Sequence, residues 1–187
     1  EWLSLYESKS GERGIFSRTA SQKQAEKFGR RDPAHEFGTN PCSEIILRSR
    51  EFCNLTEVVV RETDTEETLI QKVRLATILG TIQSTLTNFK YISKKWKENC
   101  EEERLLGVSL TGILDNNLLN MSGGEVYKFE LEKLLNTLRD VAVQTNKEWA
   151  GKIGIPQSAA VTCVKPSGTV SQLVDSASGI HARHSPY

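Results

Sequence analysis

Short apolar runs rich in β-branched residues alternate along this chain with two long stretches of helical periodicity, and no other feature restricts its fold as much. Strand character is found at residues 44–47, 54–60, 105–113 and 160–164. Between the second and third runs, Leu69, Val73, Ala76, Leu79, Ile82, Leu86 and Phe89 recur at helical spacing. They follow Thr63 and Glu66, three residues apart as in a capping box. A second helix is expected over residues 125–150, with Phe129, Leu131, Leu134, Leu135, Leu138, Val141, Ala142 and Trp149 as its apolar stripe and Gly151 as its stop. Strands alternating with helices of this length predict a parallel α/β architecture, whose functional loops lie at the carboxyl ends of strands. Residues 7–41 are polar and rich in turn formers, predicting loop with one short helix at residues 21–28. The mixed-charge residues 90–104 read as a solvated helical face. The chain opens without a helix start or a strand and stops at Ser185-Pro186-Tyr187 directly after an ordered-looking segment, so a fragment is expected.

Composition narrows the function. With 187 residues, 37% of them hydrophobic, the chain can build the core of one domain or of a piece of a larger one. The 24 basic and 24 acidic side chains cancel, leaving no overall field to hold nucleic acid or an anionic membrane. Neither is expected as a partner, and any anionic ligand must be met by local groups. No apolar run approaches the roughly 18 residues that span a bilayer, and no basic segment leads into an apolar one at the start. A soluble, cytoplasmic protein is expected. Its four cysteines form no CxxC pair and no Cys/His cluster at zinc-finger spacing, so no structural metal is expected. In a reducing compartment these thiols stay free unless chemistry uses them, and Cys100 and Cys163 read as small buried hydrophobes.

Two places carry chemistry. The first is Thr39-Asn40-Pro41-Cys42-Ser43-Glu44. In an extended segment Asn40, Cys42 and Glu44 project to one side and Pro41, Ser43 and Ile45 to the other. An amide, a thiol and a carboxylate then converge, a set able to hold a hydroxylated substrate, abstract from it with sulfur and take up a proton. A polar loop with an incidental cysteine fits the same spacing. A cysteine nucleophile would need a histidine base, but nothing couples His35, His181 or His184 to Cys42. The second place is Lys165-Pro166-Ser167-Gly168-Thr169-Val170, a turn after a strand that leads into a short helix through Leu173 and Val174. Backbone N–H groups, two hydroxyls and the positive end of a helix dipole suit a phosphate there. An ordinary helix cap fits equally, and the Walker pattern is absent. Gly179-Ile180-His181 and Arg183 are candidates to close over the same region.

Three motifs give these places a context: Asn40-Pro41-Cys42-Ser43-Glu44-Ile45-Ile46-Leu47 with Cys53-Asn54-Leu55, then Gly107-Val108-Ser109-Leu110-Thr111-Gly112-Ile113, then Lys165-Pro166-Ser167-Gly168-Thr169-Val170-Ser171. In this order they resemble the catalytic subunit of ribonucleotide reductases. The proline between Asn40 and Cys42, and the 11 positions from Cys42 to Cys53, resemble the class II, adenosylcobalamin-dependent branch, in particular its monomeric, triphosphate-using members. The resemblance implies a ten-stranded α/β barrel with a finger loop through its centre. At the tip of that loop Cys42 would become a thiyl radical and remove the 3′ hydrogen of the ribose. Glu44 would take the 3′-hydroxyl proton, Asn40 would hydrogen-bond and orient the substrate, and Cys53 would be one of two cysteines delivering reducing equivalents as the 2′-hydroxyl leaves as water. Pro166, Ser167, Gly168, Thr169 and Val170 would bind the substrate phosphates. Adenosylcobalamin would be the cofactor, and thioredoxin or a similar dithiol the reductant.

The resemblance also implies what lies elsewhere. The partner of Cys53 belongs on an earlier strand, and no cysteine precedes Cys42, so the redox pair is not expected within this chain. The family's specificity region, effector site and C-terminal thiol pair are likewise not found in it. The chain is expected to be a single partial barrel domain, roughly the second half of the barrel, inactive without its flanking segments. Two other readings are a class I reductase, drawing its radical from a metal-containing subunit, and a nucleotide-binding module without turnover. The joint presence of Asn40, Cys42, Glu44 and Cys53 argues against the module, which needs no thiol aligned with a carboxylate.

Overall fold

The computed structural model describes residues 1–10, 14–27, 29–120 and 124–183. Its centre is a β-α-β unit. Strand β3 (Asn54–Val59) pairs in parallel with β4 (Leu106–Thr111), Asn54 opposite Leu106 and Val59 opposite Thr111. The segment at residues 160–163 extends this sheet on the far side of β4. It forms a single parallel bridge, Thr162 to Val108, with Leu106 N donating to the Ala160 carbonyl and Cys163 N to that of Val108. The expected strand at residues 160–164 is thus present as one bridge rather than a full ladder.

Side-chain alternation gives the sheet two unlike faces. Val58, Val60, Leu106 and Val108 point to one side and, together with Val161 of the third segment, are buried with helices α3 (Glu66–Gln83) and α5 (Gly124–Ile153) in one core that includes Leu69, Val73, Leu134, Leu138 and Ala142. Burial of this many aliphatic side chains, each worth ~1.5–3 kcal/mol, is the main stabilising term.

The capping box of α3 sits two residues later than Thr63 and Glu66. Thr65 is the N-cap, its hydroxyl accepting from Thr68 N at 3.4 Å while its own N–H donates to the Thr68 hydroxyl at 2.9 Å. Thr68 serves as well as a glutamate because its short hydroxyl already reaches back one turn. The stripe of α3 also departs from expectation: Leu69, Val73 and Ala76 are buried, but Leu79 and Ile82 are exposed while Thr77, Gly80 and Thr81 face inward, and the helix stops at Gln83, before Leu86 and Phe89. Those hydroxyls are tolerated inside because Thr77 and Thr81 donate to carbonyls four residues back, at 2.8 and 2.7 Å. Small side chains let the helix come close to the sheet, and a Cβ on Gly80 would rest 3.4 Å from Leu106. On α5, Leu131, Leu134 and Leu138 face the core while Phe129 is exposed, and the helix runs through Gly151 to stop at Gly154, whose φ of +79° suits glycine.

The first 40 residues hold more structure than a polar composition implies. Helix α1 (Trp2–Ser8) opens the chain, although no helix start was legible there, and buries none of its residues. Helix α2 (Arg18–Lys27) starts before residue 21, and Phe28 lies outside the described residues. Strand β1 (Phe37–Thr39) pairs antiparallel with β2 (Ile46–Arg48), making a hairpin whose connection is residues 40–45. Helix α4 (Lys94–Glu103) is not merely a solvated face, since Asn99, Cys100 and Glu103 are buried. No described helix is long and apolar enough to cross a membrane.

Candidate active site

The hairpin tip departs from the extended geometry expected of it. Two strands joined over six residues must turn, and Ser43 supplies the turn with a left-handed φ of +63°. Ser43 N donates to the Asn40 carbonyl at 3.0 Å, and Asn40 N to the Ile45 carbonyl at 3.3 Å. The Asn40 side chain tightens the same turn, its Oδ1 accepting from Ile45 N at 3.0 Å. Asn40 and Glu44 still converge, but through the turn rather than through strand alternation. Pro41, Cys42 and Ser43 form the exposed apex.

Glu44 lies just inside that apex with its side chain 4% exposed. Neither carboxylate oxygen has a well-aligned hydrogen bond within the described residues. The Lys165 ammonium stands 3.0 Å away as an ion-pair partner. Burial pushes the Glu44 pKa up, but the neighbouring Asn40 amide and Lys165 outweigh it and hold the carboxyl below its ordinary value. Lys165 in turn is raised by Glu44.

This ion pair joins the hairpin tip to the second candidate place. The loop at residues 165–168 follows the third strand segment at its carboxyl end, as a parallel sheet predicts, and enters α6 (Thr169–Leu173). Ser167 is buried and acts as a cap: its hydroxyl accepts from Ser171 N at 3.0 Å, and the Ser171 and Ser178 hydroxyls both donate to its carbonyl. Pro166, Gly168, Thr169 and Val170 are exposed. Of the segment expected to close over this loop, Gly179 packs on it. A Cβ there would come within 2.8 Å of the Lys165 carbonyl, and Gly179 N donates to the Thr111 hydroxyl. Arg183 does not join it, being held by Asp115 at 3.0 Å and Asp175 at 2.7 Å. His184 lies outside the described residues. His35 contacts the Arg48 guanidinium at 3.2 Å and is not part of the tip.

Cys53 precedes β3 on the sheet face turned away from α3 and α5. Gly107 lies beside it on β4, and beyond Gly107 is Cys163. The two sulfurs sit 3.2 and 3.1 Å from where a Cβ on Gly107 would be. Burial raises both thiol pKa values, and each has an acidic neighbour that adds to the effect, Glu51 for Cys53 and Glu44 for Cys163. Cys163 is therefore half-buried beside a second thiol rather than a plain core residue. Cys100 is the structural one, its sulfur accepting from Phe52 N at 3.3 Å.

A buried ionic network at the hairpin base was not foreseen from sequence. Arg31 bridges Glu51 at 3.1 Å and Glu103 at 2.7 Å, and donates to the Ile46 carbonyl at 2.7 Å. Arg48 meets Glu51 at 3.2 Å and Glu102 at 2.9 Å. These contacts fix β2 to α4. Glu51 has its pKa pushed up to about 7 by burial and by the adjacent Glu103. Partners 72 positions apart leave no local spacing by which the network could have been found.

No protein-family model matches the chain. It is 30% identical to the adenosylcobalamin-dependent ribonucleoside-triphosphate reductase of Lacticaseibacillus paracasei, over 99% of this chain and 27% of that protein. The enzymes of the same description from Levilactobacillus brevis and Lactobacillus leichmannii are each 27% identical, over 95% and 80% of this chain. Among solved structures, a B-12 dependent (class II) ribonucleotide reductase superposes with a TM-score of 0.65 at 29% identity, covering 79% of this chain and 23% of its own. The chain spans about a quarter of the length of the curated relatives it matches. Its order of motifs, its β-α-β unit and these matches agree: this chain is homologous to one stretch of the class II, adenosylcobalamin-dependent ribonucleotide reductases.

Proposed function

We propose that this chain forms part of the catalytic barrel of an enzyme reducing ribonucleoside triphosphates to 2′-deoxyribonucleotides, with the 40–45 hairpin connection as the finger loop. The observation that carries this reading is the union of an exposed thiol, Cys42, with a buried carboxylate, Glu44, on one turn, tied by Lys165 to the loop of Pro166, Ser167, Gly168, Thr169 and Val170. The residues present fit the receiving end of adenosylcobalamin chemistry: the Cys42 thiol is accessible at the apex of its loop, and among the described residues no base is paired with it that would make it a nucleophile instead. When bound, adenosylcobalamin supplies the one-electron chemistry that takes the hydrogen atom from this thiol.

The chain's own groups then divide the work. Cys42 abstracts the 3′ hydrogen of the ribose. Glu44, ionised and lacking a well-aligned hydrogen bond, accepts the 3′-hydroxyl proton, with the Asn40 amide orienting the sugar. The first-turn N–H groups of α6 and the Thr169 hydroxyl meet the phosphates. Cys53 supplies one of the two thiols that become a disulfide as the 2′-hydroxyl takes up a proton and leaves as water. Its family partner, and the dithiol such as thioredoxin that restores the pair, lie beyond these residues.

The test expresses the chain with the flanking sequence of its gene and supplies adenosylcobalamin, a dithiol and a ribonucleoside triphosphate. Deoxyribonucleotide that requires both the cofactor and Cys42 is the expected result. Activity only with a metal-containing radical subunit would move the protein to class I, and nucleotide binding without turnover, unaffected by Cys42→Ala, would make it a binding module.

A further inference from the structure

We propose that Lys165 is a positioning residue whose ammonium is the counter-charge holding the Glu44 carboxylate in place as the proton acceptor. The inference rests on the function proposed above, and it concerns a residue to which the family resemblance gives no role. A carboxylate buried this deeply, with neither oxygen in an aligned hydrogen bond, is costly to keep ionised unless a cation stands beside it. Lys165 is that cation, at 3.0 Å, and its side chain is itself only 26% exposed.

Lys165 is the cation that the structure pairs with Glu44. The other groups facing Glu44 are the Asn40 amide, which is neutral, and the thiols of Cys53 and Cys163, which burial keeps protonated. Cys42 also stands near the Lys165 ammonium. Arg30, Arg31 and Arg139 line a cavity of about 300 Å³ that Glu44 also borders; Arg31 is committed to Glu51 and Glu103, and Arg139 meets Asp140 at 2.7 Å. Lys165 also has a fixed root. Its carbonyl is packed under Gly179, and two residues earlier Cys163 is hydrogen-bonded into the sheet. Only the side chain is left to move, so the ammonium is delivered to Glu44 from a rigid base. The same residue opens the phosphate loop, so the proton acceptor and the anion site share one backbone anchor.

The test compares wild type with Lys165→Met, Lys165→Gln and Lys165→Arg in the full-length protein. Isotope-edited infrared titration, with Glu44→Gln identifying the band, reads Glu44 without any need for turnover. Removing the cation by Met or Gln is expected to raise the Glu44 midpoint by at least one pH unit, about tenfold in proton affinity, while Arg leaves it near wild type. In turnover, the acidic limb of the kcat profile shifts to higher pH by the same interval in the Met and Gln variants. An unshifted Glu44 band in both variants overturns the inference, as does a rise in KM alone with an unchanged kcat profile, which would make Lys165 a phosphate ligand only. Should Lys165→Met fail to fold, Lys165→Gln carries the comparison. Wild type that makes no deoxyribonucleotide would sink the proposed function, while the infrared shift would still decide whether Lys165 holds the Glu44 charge.

Discussion

The two faces of the β3–β4 sheet are built on opposite terms. Toward α3 and α5 the strands present Val58, Val60, Leu106 and Val108, all buried and none able to titrate. On the other side the same strands present Leu55, Glu57, Gly107 and Ser109, next to Cys53 and Cys163. A single alternation thus separates what holds the chain together from what it is chemically able to do. The free thiols of Cys53 and Cys163 lie on the face turned away from α3 and α5, and a glycine marks the point at which the two sulfurs approach.

Substitutions can break this separation if it is wrong. Leu106→Ala, on the packed face, is expected to cost ~2–5 kcal/mol in denaturant unfolding, with the surviving folded protein binding nucleotide normally. A loss of binding at full folding would refute the division. Gly107→Ala, one residue along and on the opposite face, places a methyl 2.4 Å from a Leu55 methyl and against both sulfurs. Because the Leu55 side chain can yield, the stability cost should be nearer ~1 kcal/mol, while turnover of the full-length enzyme falls by more than stability explains. Thr65→Ala removes the cap of α3 far from the thiols and is expected to cost ~1 kcal/mol without touching turnover.

The ionic network at the hairpin base sharpens the comparison through pH. Glu51 has its folded pKa raised to about 7, above its ordinary value near 4.5. The folded state therefore holds a proton that the unfolded state has released, and the stability from this group is full below pH 4.5 and is lost as pH rises to about 7. Thermal midpoints should fall across that window in wild type more steeply than in Glu51→Gln. Smallest in stability is Cys42→Ser. At an exposed apex it should leave the unfolding curve unchanged while abolishing deoxyribonucleotide formation by the full-length enzyme.

The strands at residues 54–60 and 105–113 and the two long helices were legible because their periodicity is local. The cap of α3 was displaced by two residues because Thr63 and Thr65 stand in similar sequence contexts, and only the backbone distinguishes them. Its inward stripe was misjudged because Thr77 and Thr81 read as polar until their hydroxyls are seen bonded to their own helix. Strand β1 was hidden in a polar segment, since three residues paired to β2 need no apolar run. At the candidate site the residue types of Asn40, Cys42 and Glu44 were legible, but the approach of Asn40 to Glu44 around a left-handed turn at Ser43 was not. The contact between Glu44 and Lys165 joins positions far apart in the chain, and no spacing rule reaches that far.

The anchoring of β2 by Arg31 and Arg48 gives the hairpin the mechanics of a propped beam, clamped at its root and met near its end by Lys165 at Glu44. In such a beam the placement of the end is decided by the clamp and the prop together. Under the proposed function, the accuracy with which the Cys42 sulfur would meet a hydrogen atom is then set in part at Glu51 and Glu103, residues remote from the reacting atoms.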